Sequence, residues 1–297
     1  MKGMLWLVLY FVCNICLTLH NKSVLTGTAF AFPWSLTALH SIASAVGSLL
    51  CIFFLGVNSY TFGRDWTQWA WLVAFSLLYT VNIAISNVSM SLVLLSFHQT
   101  VRSLGPLFTC SLDFLVTGRT TSWLSIASLV PVVVGVALAC YGPFGASLVG
   151  GVLTFIGVFL SSAKGVATNI MLIGPLRLEP FDLLLRMSVL CTVQCLAYAW
   201  FSGELREAAL FLRNHDNSTG VAVSLAFNAA LAFGLSFVSF SANKSTSSVS
   251  MAVVGNVKQV LLILLTVILF ADPINGIQTS GIVITFIGGA LYTWTKA

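Results

Sequence analysis

The sequence predicts an all-α integral membrane protein, about ten transmembrane helices folded as two inverted five-helix repeats, residues 1–145 and 146–297. Three observations carry that prediction. Of 297 residues, 58% are hydrophobic and 7% charged, against about 25% charged residues in soluble domains, and the mean hydropathy is +0.99. Apolar runs follow one another with little pause, each near the roughly 20 residues a helix needs to cross about 30 Å of hydrocarbon. The two halves also share an order of parts. Barrel strands would be shorter and would alternate polar with apolar residues.

Polar breaks place the spans at 3–26, 33–56, 67–87, 90–117, 122–141, 147–172, 180–203, 219–241, 248–271 and 276–296. The first run is too long for a cleavable leader and lacks a small-residue cleavage pattern, so it is expected to remain as a span. Pro33 opens the second span and Pro180 the seventh, because a first-turn residue needs no intrahelical donor. The Thr120-Thr121-Ser122 cluster offers hydroxyl caps for the fifth. Glu204 to Gly220 is the one long polar segment and reads as a loop. All seven cysteines fall within spans, where they act as small apolar residues rather than as a disulfide framework.

An even number of spans puts both termini on one side, and Lys/Arg content chooses that side. With the termini cytoplasmic, Lys2, Arg64, Arg119, Arg177, Lys244 and Lys296 face inward, against Lys22, Arg206 and Arg213 outward. The same orientation exposes Asn217-Ser218-Thr219, an N-glycosylation acceptor pattern, in a lumenal loop. The net charge of +5 and pI near 8.9 suit basic cytoplasmic loops and give no reason to expect a nucleic-acid partner.

The repeat is faint but ordered. Val101-Arg102 and Val257-Lys258 each lead into an apolar run, a short polar break (Thr117-Gly118-Arg119 against Asp272-Pro273) and a glycine-containing span, at an offset of about 155 residues. Five crossings reverse direction, so the halves must be inverted, the architecture of alternating-access carriers.

Arg102, Lys164 and Lys258 lie inside these spans. Arg102 is about twelve residues into its span and Lys258 about ten, depths of roughly 18 and 15 Å. His98 shares a face with Arg102, with Pro106 one turn beyond. Gly255, Asn256 and Gln259 flank Lys258, and Ser161, Thr168 and Asn169 surround Lys164. A charge at such depth costs several kcal/mol unless compensated, which marks an anion site or ion pathway. Pairing with acids is the plain alternative. Asp113 is the one clear intramembrane carboxylate, and Asp182 and Arg186, one turn apart, can satisfy each other. Snorkelling is the competing explanation for Lys164. His20 and His40 read as satisfied interior groups; Tyr79, Asn82 and Tyr292 could bind a sugar or base, or could join helices. The Gly288-Gly289 pair reads as close helix packing. No HExxH, Walker loop, CxxC or GxSxG occurs, so no enzyme chemistry, metal or cofactor is expected.

The same residues sit in a pattern that resembles the triose-phosphate and nucleotide-sugar translocators of the drug/metabolite transporter superfamily. The resemblance covers essentially the whole chain. It runs through Leu19-His20-Asn21-Lys22, Phe32-Pro33-Trp34-Ser35, and Ser96-Phe97-His98-Gln99-Thr100-Val101-Arg102-Ser103-Leu104-Gly105-Pro106. It continues in Lys244-Ser245-Thr246-Ser247-Ser248, Gly255-Asn256-Val257-Lys258-Gln259, Phe270-Ala271-Asp272-Pro273 and Gly289-Ala290-Leu291-Tyr292-Thr293-Trp294-Thr295-Lys296. It implies a ten-helix antiporter exchanging a phosphorylated metabolite for a counter-anion within the bilayer, with Lys258 in a cavity-shaping Gly-x-x-Lys region and Lys296 at a C-terminal phosphate-binding position. Arg102, Lys258, Lys164, Lys296, His98, Gln99, Asn256 and Tyr292 are the expected substrate contacts.

Two departures count against triose phosphate. Ala297 stands where those carriers add an arginine, and Asn169-Ile170-Met171-Leu172 replaces their paired lysines. With no plastid transit segment ahead of the first span, the expectation is a nucleotide-sugar carrier of the Golgi or endoplasmic reticulum that returns a nucleoside monophosphate or phosphate. A sugar-phosphate/phosphate translocator is the alternative, and a non-transporting receptor or assembly factor the alternative of another class. Whether the chain works as a monomer or a homodimer is left open.

Overall fold

A computed structural model describes residues 2–22, 24, 30, 32–56, 66–93, 95–118, 122–139, 148–173, 177–215, 217–252, 254–255 and 275–296. Among them the regular secondary structure is helical. In order these helices are α1 (Lys2–Lys22), α2 (Pro33–Leu55), α3 (Trp66–Leu92), α4 (Leu95–Arg102), α5 (Gly105–Thr117), α6 (Trp123–Ala127), α7 (Leu129–Ala139), α8 (Leu148–Ile173), α9 (Pro180–Phe201), α10 (Glu204–Asn214), α11 (Ser218–Ser245) and α12 (Gly276–Lys296). Residues 248–252 and 254–255 are also helical, while the rest of the ninth expected span lies outside the described residues. Six of the described helices are long and apolar enough to cross a membrane: α1, α2, α3, α8, α9 and α11. Shorter apolar helices occupy 105–117, 123–138 and 276–292.

Local chemistry sets the boundaries. Pro33 and Pro180 stand in the first turns of α2 and α9, and Ser122 caps α6 by accepting from the Ser125 amide at 3.3 Å. Asn275 and Gln278 exchange side chain and amide at 2.8 and 3.0 Å, a reciprocal cap that starts α12. Gly118 closes α5 at φ 70°, in the left-handed region that favours glycine, with its N–H on Phe114 O.

Four features differ from the sequence expectation. The break expected after residue 87 falls instead after Leu92, where α3 ends, and within that last turn the Ser89 hydroxyl donates to Ser86 O at 3.0 Å. The expected continuous helix 90–117 is instead α4 and α5, separated at Ser103-Leu104. Pro106 cannot donate to the carbonyl of Arg102, four residues earlier, and its ring crowds that turn. Pro131 likewise has no donor for Ala127, where α6 ends before α7 begins. The Glu204 to Gly220 segment, read as a loop, contains the helix α10.

The chain forms two compact units, residues 1–80 with 170–245, and 81–169 with 246–297. In the first, α2 packs along α9, and α11 lies on α1 and α2. Ser41, Ser44 and Ser48 are buried on α2 at three- and four-residue spacing, small side chains that let helix backbones approach. One apolar core joins Leu36 of α2, Ala208 of α10, Val221 and Leu225 of α11, and Val24 and Phe30. In the second unit α12 packs on α7 and α6. A Cβ at Gly288 would meet Val132 N at 2.7 Å and Val132 Cγ2 at 2.8 Å, so glycine there permits backbone contact between α12 and α7.

Candidate functional site

Arg102 is the eighth and last residue of α4. Its neighbours fix it: Val101 and Leu104 are buried in a core with Val136 of α7 and Val158 of α8, walled by Phe97 and Phe108. The turn enforced by Pro106 is further held from α8, where the Ser162 hydroxyl donates to Gly105 O at 3.1 Å. From this frame the Arg102 guanidinium reaches α3 and donates from Nη1 to Ser86 Oγ at 2.8 Å. A hydroxyl fixes the direction of the planar fork without cancelling its charge.

His98, one turn earlier, is 2% exposed, and its Nδ1 has no hydrogen-bond partner among the described residues. Lys164 is half-buried on α8, with the Thr168 hydroxyl back-bonded to its carbonyl at 2.8 Å. Thr168 and Asn169 are buried beside it. Arg102, His98 and Lys164 therefore belong to one compact unit, as do Gln99, Tyr292 and Lys296 by position in the chain. Asn256 and Lys258 lie outside the described residues, and so do the side chains of Gln99 in α4 and Lys296 at the end of α12.

Tyr292 is fully buried in a core with Leu129 and Val249, and its hydroxyl meets Cys110 Sγ at 3.2 Å. Asn82, weighed as a sugar or base contact, is buried and donates to Gly157 O of α8 at 2.9 Å, joining helices. Asp182 takes the Arg186 guanidinium at 2.8 Å, the local pairing their spacing suggests. Asn217 is exposed and caps α11 through Oδ1, which accepts from the Gly220 amide at 3.1 Å.

His20 and His40 are satisfied as their sequence context suggests, and the partner is distant in the chain. Asn228, fully buried on α11, donates to Asn21 Oδ1 at 2.7 Å, contacts His20 Nδ1 at 2.9 Å, and meets His40 Nε2 through its carbonyl oxygen. Gln194 of α9 donates to Ser76 and accepts from Thr80 at 2.8 and 2.7 Å. Lys244 pairs with Glu179 at 2.8 Å. Ser86 leaves no sequence signal as a partner of Arg102, because a hydroxyl sixteen residues upstream carries no charge.

Six apolar helices long enough to cross a bilayer define a multi-pass membrane protein. Comparison with known proteins gives the family. A profile of the Triose-phosphate Transporter family matches residues 1–293, and the chain belongs to that family. It is a transporter rather than an enzyme.

Its relatives include a probable sugar phosphate/phosphate translocator of Arabidopsis thaliana, 27% identical over 293 residues, covering 98% of this chain and 82% of that protein. UDP-uronic acid transporter 1 of the same plant is 26% identical, covering 98% and 94%. A GDP-mannose transporter, also from Arabidopsis thaliana, is 25% identical, covering 99% and 86%. A crystal structure matches 99% of this chain and 96% of its own with a TM-score of 0.63 at 15% identity, a likeness of fold.

Proposed function

We propose that the protein is an antiporter that exchanges a phosphorylated metabolite, foremost a nucleotide sugar, for a nucleoside monophosphate or phosphate. The observation that carries this reading is Arg102, a half-buried guanidinium held on Ser86 next to the apolar core of Val101, Leu104, Val136 and Val158, in a chain of the Triose-phosphate Transporter family. Arginine offers two parallel donors to a phosphate, and lysine adds a mobile point charge, so Arg102 with Lys164, Lys258 and Lys296 forms a phosphate-selective set. His98, Gln99, Asn256 and Tyr292 complete the proposed contacts. Relatives named for nucleotide sugars and for sugar phosphates all carry phosphorylated cargo in their names, which supports the substrate class.

In this reading ten spans form two inverted halves, 1–145 and 146–297, that alternate access to the site. The expected spans hold the cations Arg102, Lys164, Arg186 and Lys258 in their interior, with Lys22 and Lys296 near span ends, against the acids Asp113 and Asp182. An anionic cargo moves that balance toward neutrality, so loaded reorientation is faster than empty reorientation and exchange results. Both termini face the cytoplasm of a Golgi or endoplasmic-reticulum membrane, which leaves Asn217 lumenal and open to glycosylation.

Proteoliposomes provide the test. Vesicles preloaded with a nucleoside monophosphate should take up labelled nucleotide sugar at least several-fold faster than empty ones, and equal rates would remove the exchange mechanism. The second reading, a sugar-phosphate/phosphate translocator, is favoured by the relatives of that name. It predicts counterflow with inorganic phosphate and none with nucleotides.

A further inference from the structure

The helix α10 has no role in the proposed site, and its two faces differ. Ala208 is buried, Phe211 and Leu212 pack on the same core, and Glu204 reaches over to accept the Ser35 amide at 2.6 Å. Arg206, Leu210 and Arg213 are exposed. At 100° per residue these three fall within about 60° of one another, on the side opposite Ala208. A basic face interrupted by a large apolar residue is the pattern of a helix lying in a membrane interface rather than in free water.

Continuity with the lipid-facing surface says what lies against it. Along α9, Val189, Val193, Ala197 and Trp200 are exposed at three- and four-residue spacing, a stripe turned to hydrocarbon. That stripe ends in Trp200, 72% exposed, and Phe201, 87% exposed, the aromatic pair expected at headgroup depth. The 22 residues of α9 rise about 33 Å, close to the thickness of the hydrocarbon layer. Gly203, at φ 79°, turns the chain directly from those aromatics into α10. On the far side α11 presents Val223 and Phe227, both exposed and four residues apart. Both ends of α10 thus join helices at their lipid-facing edges.

We infer that α10 is an interfacial helix whose Arg206–Leu210–Arg213 face holds the phosphate groups of surrounding phospholipids, with Leu210 entering the acyl boundary. Glu207 is the acid on the exposed side of the same helix, so the face keeps a positive excess of one. Phosphodiesters suit the guanidinium forks, and an anionic headgroup adds long-range attraction.

The test uses the full chain purified in a maltoside detergent, which offers no phosphate. Adding phosphatidylcholine should raise Tm, and phosphatidylglycerol should raise it further. R206Q/R213Q should lose at least half of both increments, R206K/R213K should keep most of the phosphatidylglycerol increment, and R177Q, at an exposed arginine outside α10, should match the parent. High salt should remove the difference between the two lipids. Equal lipid-induced shifts in the parent and R206Q/R213Q would overturn the inference. So would a drop in dimer fraction caused by R206Q/R213Q in detergent alone, which would assign the face to a second copy of the chain.

Discussion

Replacing Arg102 probes the proposed site most directly. The structure predicts a graded response, because two distinct properties of the residue are engaged: its charge, and the orientation fixed by Ser86 at 2.8 Å. Arg102→Lys keeps the charge and loses the fork. A charge-assisted hydrogen bond contributes about 1.5–3 kcal/mol, and each 1.36 kcal/mol is a factor of about ten, so kcat/KM for exchange should fall by about ten- to 150-fold. Arg102→Gln removes charge as well and should fall further. Ser86→Ala leaves the guanidinium in place with one fewer fixed acceptor. An interhelical hydrogen bond in a membrane averages about 0.6 kcal/mol, so KM should rise by only about threefold. The assay is initial-rate exchange in preloaded proteoliposomes at matched protein content. The reasoning fails if Arg102→Gln transports within twofold of the parent, or if Ser86→Ala is more damaging than Arg102→Gln.

Three further outcomes follow from contacts away from that site. Glu204→Ala removes the carboxylate that caps α2 at the Ser35 amide and should cost about 0.5–2 kcal/mol of stability, read as a lowered Tm with unchanged substrate specificity. Asn228→Leu breaks the contacts to Asn21, His20 and His40; at about 0.6 kcal/mol per interhelical bond the loss is about 2 kcal/mol, and Asn228→Asp, which keeps acceptors but loses the donating NH2, should fall between it and the parent in a denaturation series. Gly288→Val drives a side chain into the backbone of Val132, and overpacking of that kind costs about 1–3 kcal/mol or more. Gly234→Ala, where an added Cβ meets nothing within 4 Å, should leave the melting curve in place.

Composition was enough to mark a membrane-embedded chain, because 7% charge cannot cover the surface of a soluble domain of this size, and the length of the apolar runs marked the spans as helices. Helix starts at Pro33, Ser122 and Pro180 were also legible, since caps and first-turn prolines act within a few residues of the chain. So was the pairing of Asp182 with Arg186, which depends only on a four-residue spacing along one helix. The cations Arg102 and Lys164 stood out for a similarly local reason: each interrupts an apolar run, and the cost of a charge in hydrocarbon does not depend on knowing its neighbours.

What needed the tertiary structure was every property set by a partner distant in sequence. Pro106 announced a disturbance, but only packing of Val101 and Leu104 against α7 and α8 turned it into a rigid break that aims Arg102 at Ser86. The buried contact of the Tyr292 hydroxyl with Cys110, 182 residues away, likewise leaves no trace in the sequence. α10 was hidden because its charges resemble those of a loop, and its buried face acquires meaning only beside Leu36, Val221 and Leu225. A sequence records which groups are costly to bury and where the backbone can start or stop a helix. The three-dimensional packing decides which distant group meets each of them, and hence which charges are fixed in direction and which helix faces are left to the lipid.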